Sequence, residues 1–335
     1  MGRSWLRFLI GLLLLAGVAI AGGAWWLNRP LPITLAAGAE SVDLSIEPGT
    51  SARGVAQAVA DAGVGVNPSL LYWWARLSSQ DRQIKAGSYE IEPGATPRSL
   101  LQKLVRGEEA LRAVTLVEGW TFILVRDALL KAEQLKQDTL GLQPDLIMEK
   151  LGKPGTAAEG RFFPDTYTYA KGSSDLAVLK RAARAMDKKL EAAWSQRQPD
   201  TPLKSPEQAL ILASIVEKET GKGSDRPQIA GVFTNRMRIG MPLQTDPTVI
   251  YGMGTKFDGN LRKRDLQTDT PWNTYTRRGL PPTPIAMPGK SALLAAVQPA
   301  QTKALYFVAR GDGSSQFSAT LDEHNRAVNK FQRGQ

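Results

Sequence analysis

The chain contains no cysteine and a single histidine, His324. The first absence excludes disulfides, thiol nucleophiles and zinc sites built on thiolates. The second excludes multi-histidine metal clusters and leaves a Ser-His-Asp triad possible only through His324. There is no Walker loop, no G-x-G-x-x-G turn and no metal-binding signature. No cofactor and no metal are expected, and carboxylates become the leading candidates for acid-base chemistry. Negative charge is also scarce: 42 Lys and Arg against 32 Asp and Glu leave a formal charge of +10. In a cytoplasmic protein that balance would suggest nucleic acid. Outside a membrane it suits anionic lipid headgroups and a polymer bearing carboxylates.

What is present first is an anchor. Phe8 to Leu27 run for 20 residues without a charge, enough to cross a bilayer core of about 30 Å. Arg3 and Arg7 precede the run, so the positive-inside rule keeps residues 1–7 in the cytoplasm and exports the rest, which argues against a nucleic-acid partner. Trp25 and Trp26 are expected at the outer interface. Ala19-Ile20-Ala21 resembles a signal-peptide cleavage site, but the apolar run is longer than a usual signal core and continues through the tryptophan pair, which favours a retained helix. With 335 residues and 42% hydrophobic content, the chain has room for this anchor and two folded units.

Residues 28–40 read as a linker. Beyond them, VDLSIEPGTSARGVAQAVADAG (42–63) and SYEIEPGATPRSLLQKLVRG (88–107) echo each other. Each copy has a short alternating strand, an E-P-G turn, a Ser/Thr cap and an amphipathic helix ending at glycine. PSLLYWWARLSS adds a helix between them. The resulting strand, helix, helix, strand order over 41–111 resembles a LysM-like module, a small fold often used to bind N-acetylglucosamine-containing glycans. Trp73 and Trp74 could stack on sugar rings, although at least one of two adjacent tryptophans on an apolar helix is expected in the core. The fold class expected is α+β: a transmembrane helix (8–27), a LysM-like β-α-α-β subdomain and a mixed α/β domain over 112–335.

Within that last region RAVTLVEGWT reads as a strand and turn, TFILVRDALLKAEQL as a helix and EGRFFPDTYTYA as an aromatic-rich loop or short strand. DLAVLKRAARAMDKKLEAAW reads as a basic amphipathic helix and DRPQIAGVFTNRMRIG as a helix begun at Asp225. Between these two lies SPEQALILASIVEKETG. Ser205 can cap, Pro206 takes the first helical position, Gln208 has capping-box spacing and Gly221 suits the C′ position, so the helix is expected over 206–220. At about 100° per residue, Leu212, Ile215, Val216 and Glu219 share one face while Glu217 points to roughly the opposite side. A carboxyl held against apolar side chains has a raised pKa and can donate a proton near neutrality. The bland alternative is a pair of solvated glutamates, or glutamates bridged to Lys218, Lys222 or Arg226. Downstream, MPLQTDPTVIYGMG and TPWNTYTRRGLPPTPIAMPG read as two stiff loops. Gln244, Thr245, Asp246, Tyr251, Asn273 and Tyr275 could hydrogen-bond a sugar there, and Trp272 or Tyr251 could stack on one; each is also a plausible turn residue.

ASIVEKETG, NRMRIGMPLQTDPTVIYGMG and WNTYTRRGLPPTPIAMPG, together with EGRFFPDTY and DEHN, resemble the YceG-like family, the membrane-anchored endolytic murein transglycosylases of bacteria. The resemblance spans nearly the whole chain. It implies a periplasmic catalytic domain on a single-pass inner-membrane protein, with penicillin-binding wall synthases as partners. It further implies cleavage of peptidoglycan glycan strands between N-acetylmuramic acid and N-acetylglucosamine without water, leaving 1,6-anhydro ends and limiting strand elongation. Motif matching places the catalytic glutamate at Glu219 and makes Glu217 a supporting residue. Gln244 and Asn273 are candidates for positioning substrate, Asp246 for stabilising positive charge, and Thr245, Tyr251, Trp272 and Tyr275 for binding it. Two alternatives stay open: a muramidase pairing Glu219 with Asp246 to admit water, and a glycan-binding scaffold without catalysis.

Overall fold

The computed structural model describes residues 2–35 and 39–334, without the side chains of residues 2–4, 6 and 7. The arginines on which the expected orientation rests, Arg3 and Arg7, therefore have side chains outside the described residues, as do positions 36–38 of the expected linker. The chain divides into two units, Met1–Arg112 and Ala113–Gln335.

The first unit begins with α1 (Gly2–Asn28). Its Phe8–Asn28 stretch, with a mean hydropathy of 2.2, is long and apolar enough to cross a membrane. The two tryptophans at its end part company. Trp25 is 63% exposed, with the Arg29 guanidinium 4.9 Å from its ring centroid, whereas Trp26 packs against the hydrophobic core of this same unit and Leu27 is buried. Both were expected at an interface; only Trp25 is free to occupy one. Residues 28–35 are likewise no free linker. Leu31 N–H donates to Ala95 O, Gly65 N–H to Pro32 O, and Ile33 bridges Val64, because Leu31 and Ile33 are apolar enough to join that core.

Next come β1 (Val42–Ile46), α2 (Ala52–Asp61), α3 (Pro68–Leu77), β2 (Gly87–Ile91) and α4 (Pro97–Arg106). β1 and β2 pair antiparallel with Leu44 opposite Tyr89. The echoed E-P-G segments form matching turns. Thr50 N–H donates to Glu47 O and Ala95 N–H to Glu92 O, with Gly49 and Gly94 at φ +86 and +93, the left-handed step such a turn requires. Helix α3 turns Leu71 and Ala75 inward, one helical turn apart, so Trp73 is 53% exposed and Trp74 half-buried. Neither tryptophan is in the core, contrary to the expectation that one would be.

β3 (Leu111–Thr115) leads into the second unit, where it pairs with β4 (Thr166–Ala170); between them lie α5 (Phe122–Lys131) and α6 (Pro144–Lys150). Helices α7 (Asp175–Trp194), α8 (Pro206–Glu219) and α9 (Arg226–Arg238) follow. Then come α10 (Asp246–Met253), α11 (Lys263–Gln267), α12 (Lys290–Val297), the hairpin β5 (Tyr306–Ala309) and β6 (Ser315–Ser318), and α13 (Leu321–Val328). One of the two expected loops, 241–254, thus contains a helix, and Tyr251 stands on α10. The reason is local: Pro247 occupies an early helical position, where a missing N–H costs nothing, just as Pro206 does in α8.

Helix α8 is the axis of this unit. Residues Ala209 to Glu217 are all buried, because α7, α9, α10 and α12 pack around it. Ser205 caps it as expected, but the Gln208 carboxamide accepts from Lys204 N–H instead of closing the box on Ser205. At the other end Thr220 is extended and Gly221 is not left-handed, so the expected glycine cap is absent. The chain leaves directly, with the Thr220 hydroxyl accepting from Lys222 N–H.

One glycine constrains the site. Gly160 has φ +77, and a Cβ there would lie 2.5 Å from Pro284 Cβ, part of a ring that cannot swing aside. Gly160→Ala is expected to destabilise the unit by about 2 kcal/mol, the scale of a strained left-handed residue. Urea unfolding measures this, and an unchanged midpoint would remove the constraint.

Candidate active site

The two glutamates of ASIVEKETG leave α8 in different directions, as their spacing required, but burial does not separate them as expected. Glu217, placed on the presumed outer side, has a side chain only 4% exposed, while Glu219 is half-buried. A helix wrapped on all sides has no outer face. Glu217 is occupied: Oε1 pairs with Arg226 Nη2 at 2.6 Å and Oε2 accepts from Gly289 N–H at 2.9 Å. The bridge to Arg226 that could have explained both glutamates is real, but for Glu217 alone. Burial raises the Glu217 pKa, and the Gly289 hydrogen bond and the Arg226 charge oppose the rise.

Glu219 is the last residue of α8 and accepts a hydrogen bond from Thr245 Oγ1. Burial pushes its pKa up to about 7; the Thr245 bond resists, the nearby Asp246 charge adds to the rise and Arg236 opposes it. Arg236 is itself buried, its Nε and Nη1 donating to the carbonyls of Leu305 and Leu243. Thr245 was expected to bind substrate. It is buried instead, at the N-cap of α10, and its hydroxyl addresses Glu219 and not the helix. A defined network holds it. Thr245 N–H donates to Thr274 Oγ1, Thr248 Oγ1 donates to Thr245 O at 2.7 Å, and the Thr248 and Thr274 hydroxyls lie 2.9 Å apart. Since the Thr248 proton goes to Thr245 O, Thr274 must be the donor to Thr248.

Around this pair the other expected residues sort themselves. Asp246 is exposed and accepts from Tyr275 OH at 2.6 Å; burial and that carboxylate raise the Tyr275 pKa. Gln244 is exposed at φ +48, held by Gln244 N–H donating to Thr274 O, and its side chain has no hydrogen bond among the described residues. Asn273 does not reach the site. It is fully buried, its amide donates to the carbonyls of Leu266 and Thr268, and its oxygen accepts from Tyr275 N–H. It folds the loop that carries Trp272 and Tyr275. Tyr251 and Trp272 meet edge to face at 5.5 Å, and the indole N–H donates to Thr283 Oγ1.

The residue not foreseen is Glu159. It is 7% exposed, accepts from Phe122 N–H at the start of α5 and from Tyr251 OH at 3.2 Å, and is pushed by burial to a pKa of about 7. Its only sequence signal was a carboxylate inside the largely apolar AAEGRFF, directly before a glycine. Two depressions result. One, of about 480 Å³, contains Glu118, Glu217, Lys218, Glu219 and Arg226; the other, of about 670 Å³, contains Glu159, Tyr251 and Trp272; Leu124 lines both.

A family model described as the YceG-like family matches residues 44–330. The chain belongs to the YceG-like family. A Bacillus subtilis protein named endolytic murein transglycosylase is 30% identical over 331 residues, 93% of this chain and 91% of that protein. A Streptococcus pneumoniae protein of the same name is 26% identical over 357 residues, covering 96% of this chain but 64% of the relative. The crystal structure of a yceG-like protein from Listeria monocytogenes matches with a TM-score of 0.54 and 28% identity, over 86% of this chain and 98% of that one. The YceG-like region thus contains both depressions and every residue described around them.

Glu159 and Glu219 are protonated more readily folded than unfolded, each rising from 4.5 to about 7. Their contribution to stability is therefore complete below the unfolded value and is lost as pH rises through about 7. Urea midpoints are expected to fall between pH 5 and pH 8, and Glu159→Gln and Glu219→Gln should each flatten that fall. An identical slope in both variants would contradict the raised values.

Proposed function

We propose that this chain is a membrane-anchored endolytic transglycosylase of peptidoglycan, cutting glycan strands between N-acetylmuramic acid and N-acetylglucosamine. The observation that carries the reading is Glu219: one carboxyl, protonatable near neutrality, at the edge of an open hollow and steadied by a single hydroxyl donor. The names of the family relatives support the same reaction class.

Thr245 occupies one oxygen of Glu219, leaving the other to carry the transferable proton. That proton goes to the glycosidic oxygen as its bond to the muramic anomeric carbon breaks. The resulting carboxylate then takes the proton of the muramic 6-hydroxyl as that oxygen attacks the same carbon, closing a 1,6-anhydro ring. No water is consumed and Glu219 is restored. Asp246, whose charge already acts on Glu219 and which Tyr275 holds, stabilises the positive character that develops at the ring. Glu217 is a poor candidate for a second acid-base group because its two oxygens are committed to Arg226 and Gly289. Gln244 and Tyr275 position the strand. The exposed apolar helix supports anchoring of the catalytic domain at the outer face of the bacterial inner membrane, beside the penicillin-binding synthases whose strands it would terminate.

Glu219→Gln is expected to lower cleavage of purified sacculi at least about a hundredfold, the scale of a lost general acid. Wild-type digestion in ¹⁸O water should yield anhydro ends without label. Labelled reducing muramic ends would establish hydrolysis with Asp246 as the second carboxylate, and overturn this reading. Thr245→Val removes a bond that favours ionised Glu219, so its pKa rises and the alkaline limb of the rate profile moves to higher pH, while Thr245→Ser retains the wild-type limb. An unmoved limb in the valine variant would remove Thr245 from control of the acid.

A further inference from the structure

The depression beside the acid hollow differs from it in chemistry. Its walls are apolar, with Phe122, Ile123, Ile250, Phe257 and Trp272, and its polar groups are few: the buried Glu159 carboxyl, the exposed Asp145 carboxyl and the hydroxyls of Tyr251, Thr283 and the neighbouring threonines. Ile123 is 70% exposed and Phe257 half-buried, and neither belongs to a hydrophobic core, so folding does not explain their presence there. The polar groups are ordered. Glu159 accepts from Tyr251 OH, which leaves the tyrosine oxygen able to accept from a ligand, and the Trp272 indole is tied to Thr283.

Two segments run from this groove to the acid. Helix α10 has Thr245 and Asp246 at its start, against Glu219 and Tyr275, and Ile250 and Tyr251 about 7.5 Å further along its axis. The loop 272–275 repeats the arrangement, with Trp272 in the groove and Thr274 and Tyr275 at the acid. With Leu124 lining both depressions, the groove adjoins the acid hollow.

Charge divides the two. The acid hollow displays Glu118 and Lys218, exposed groups that can meet a peptide bearing carboxylates and amines, with Arg226 held beneath them by Glu217. The groove has aromatic and aliphatic walls, a few hydroxyls, no cationic side chain among its lining residues, a buried carboxyl whose ionisation burial disfavours and one exposed carboxyl, Asp145, which suits an uncharged ring with one apolar face and a hydroxyl or amide edge. Resting on the glycan-cleaving reading, we propose that the groove is a subsite for the amino-sugar ring without a peptide branch, while the charged hollow receives the peptide-bearing muramic ring. The strand then lies in one direction only, with the muramic anomeric carbon at Glu219.

Calorimetric titration of the full-length Glu219→Gln chain in detergent with a peptide-free N-acetylglucosamine tetramer tests this. The tetramer should bind. Phe257→Ala and Ile123→Ser should each weaken it about tenfold, the loss of one ring contact, and Tyr251→Phe, which keeps the packing, should weaken it by removing the hydroxyl. Leu140→Ser, an exposed apolar position outside the groove, should leave binding unchanged. Binding indifferent to the groove variants, or weakened equally by Leu140→Ser, would overturn the subsite. The cleavage reading fails separately: if wild-type chain releases no anhydro ends while the tetramer still obeys the groove variants, the groove stands as a glycan site and the reaction does not.

Discussion

The second unit depends on one buried ion pair, Glu217 with Arg226, extended by the Gly289 N–H. Glu217 lies near the end of α8, Arg226 opens α9 and Gly289 precedes α12, so a single carboxylate fixes three helix ends. Removing two charges from water is costly, and the cost is offset only where geometry is good and the remaining lone pairs are satisfied. Both oxygens of Glu217 meet that condition. Its placement also decides what Glu219 can be. Two residues further round the helix, Glu219 emerges where Arg226 does not reach, and a neutral hydroxyl is its only hydrogen-bond donor among the described residues. One carboxylate is stabilised in its charged form by a guanidinium and an amide; the other keeps a proton available near neutrality. The three residues from Glu217 to Glu219 therefore supply both the clamp and the proton-holding carboxyl.

What could be read beforehand follows from how local each determinant is. Ser205 and Pro206 set the start of α8 through contacts within one turn, and the 100° step put Glu217 and Glu219 on different sides. Which glutamate is more enclosed was not legible, since periodicity assumes one wet face and α8 has none once four helices pack around it. Asn273 shows the converse error. As an amide in a polar, proline-rich stretch it resembled a sugar ligand, yet every contact it makes is with its own loop backbone. Side-chain amides that build loops and those that bind ligands have the same composition, and only the fold separates them. Glu159 was hidden for a related reason: its partners Phe122 and Tyr251 lie 37 and 92 residues away, and no spacing rule reaches that far.

The mobility of the acid is limited in the same way. Thr245 could have capped α10 with its hydroxyl, the usual role for threonine at that position. Its side chain goes to Glu219 instead, and the surrounding hydroxyls hold the backbone: Thr274 takes the Thr245 N–H and Thr248 donates to its carbonyl. The rigid object is thus the turn 245–248, and Glu219 is held against it from outside. Thr274 brings the loop 272–275 into the same network, so Tyr275 and Asp246 share its frame.

Glu159 and Glu219 reach similar pKa values by different routes, and the difference bears on what each can do. Around Glu159 the rise comes from burial alone and is opposed only by hydrogen bonds from Phe122, Tyr251 and Gly160. Around Glu219 burial is joined by two charges of opposite sign, Asp246 raising and Arg236 lowering. Glu159 regains water only if the groove is open, so filling the groove with a ring strengthens its preference for the proton. At Glu219 burial is again the largest cause, and the same loss of water also strengthens the opposed pulls of Asp246 and Arg236. The proton of Glu219 is thus held under charges of both signs, whereas Glu159 meets only hydrogen-bond donors.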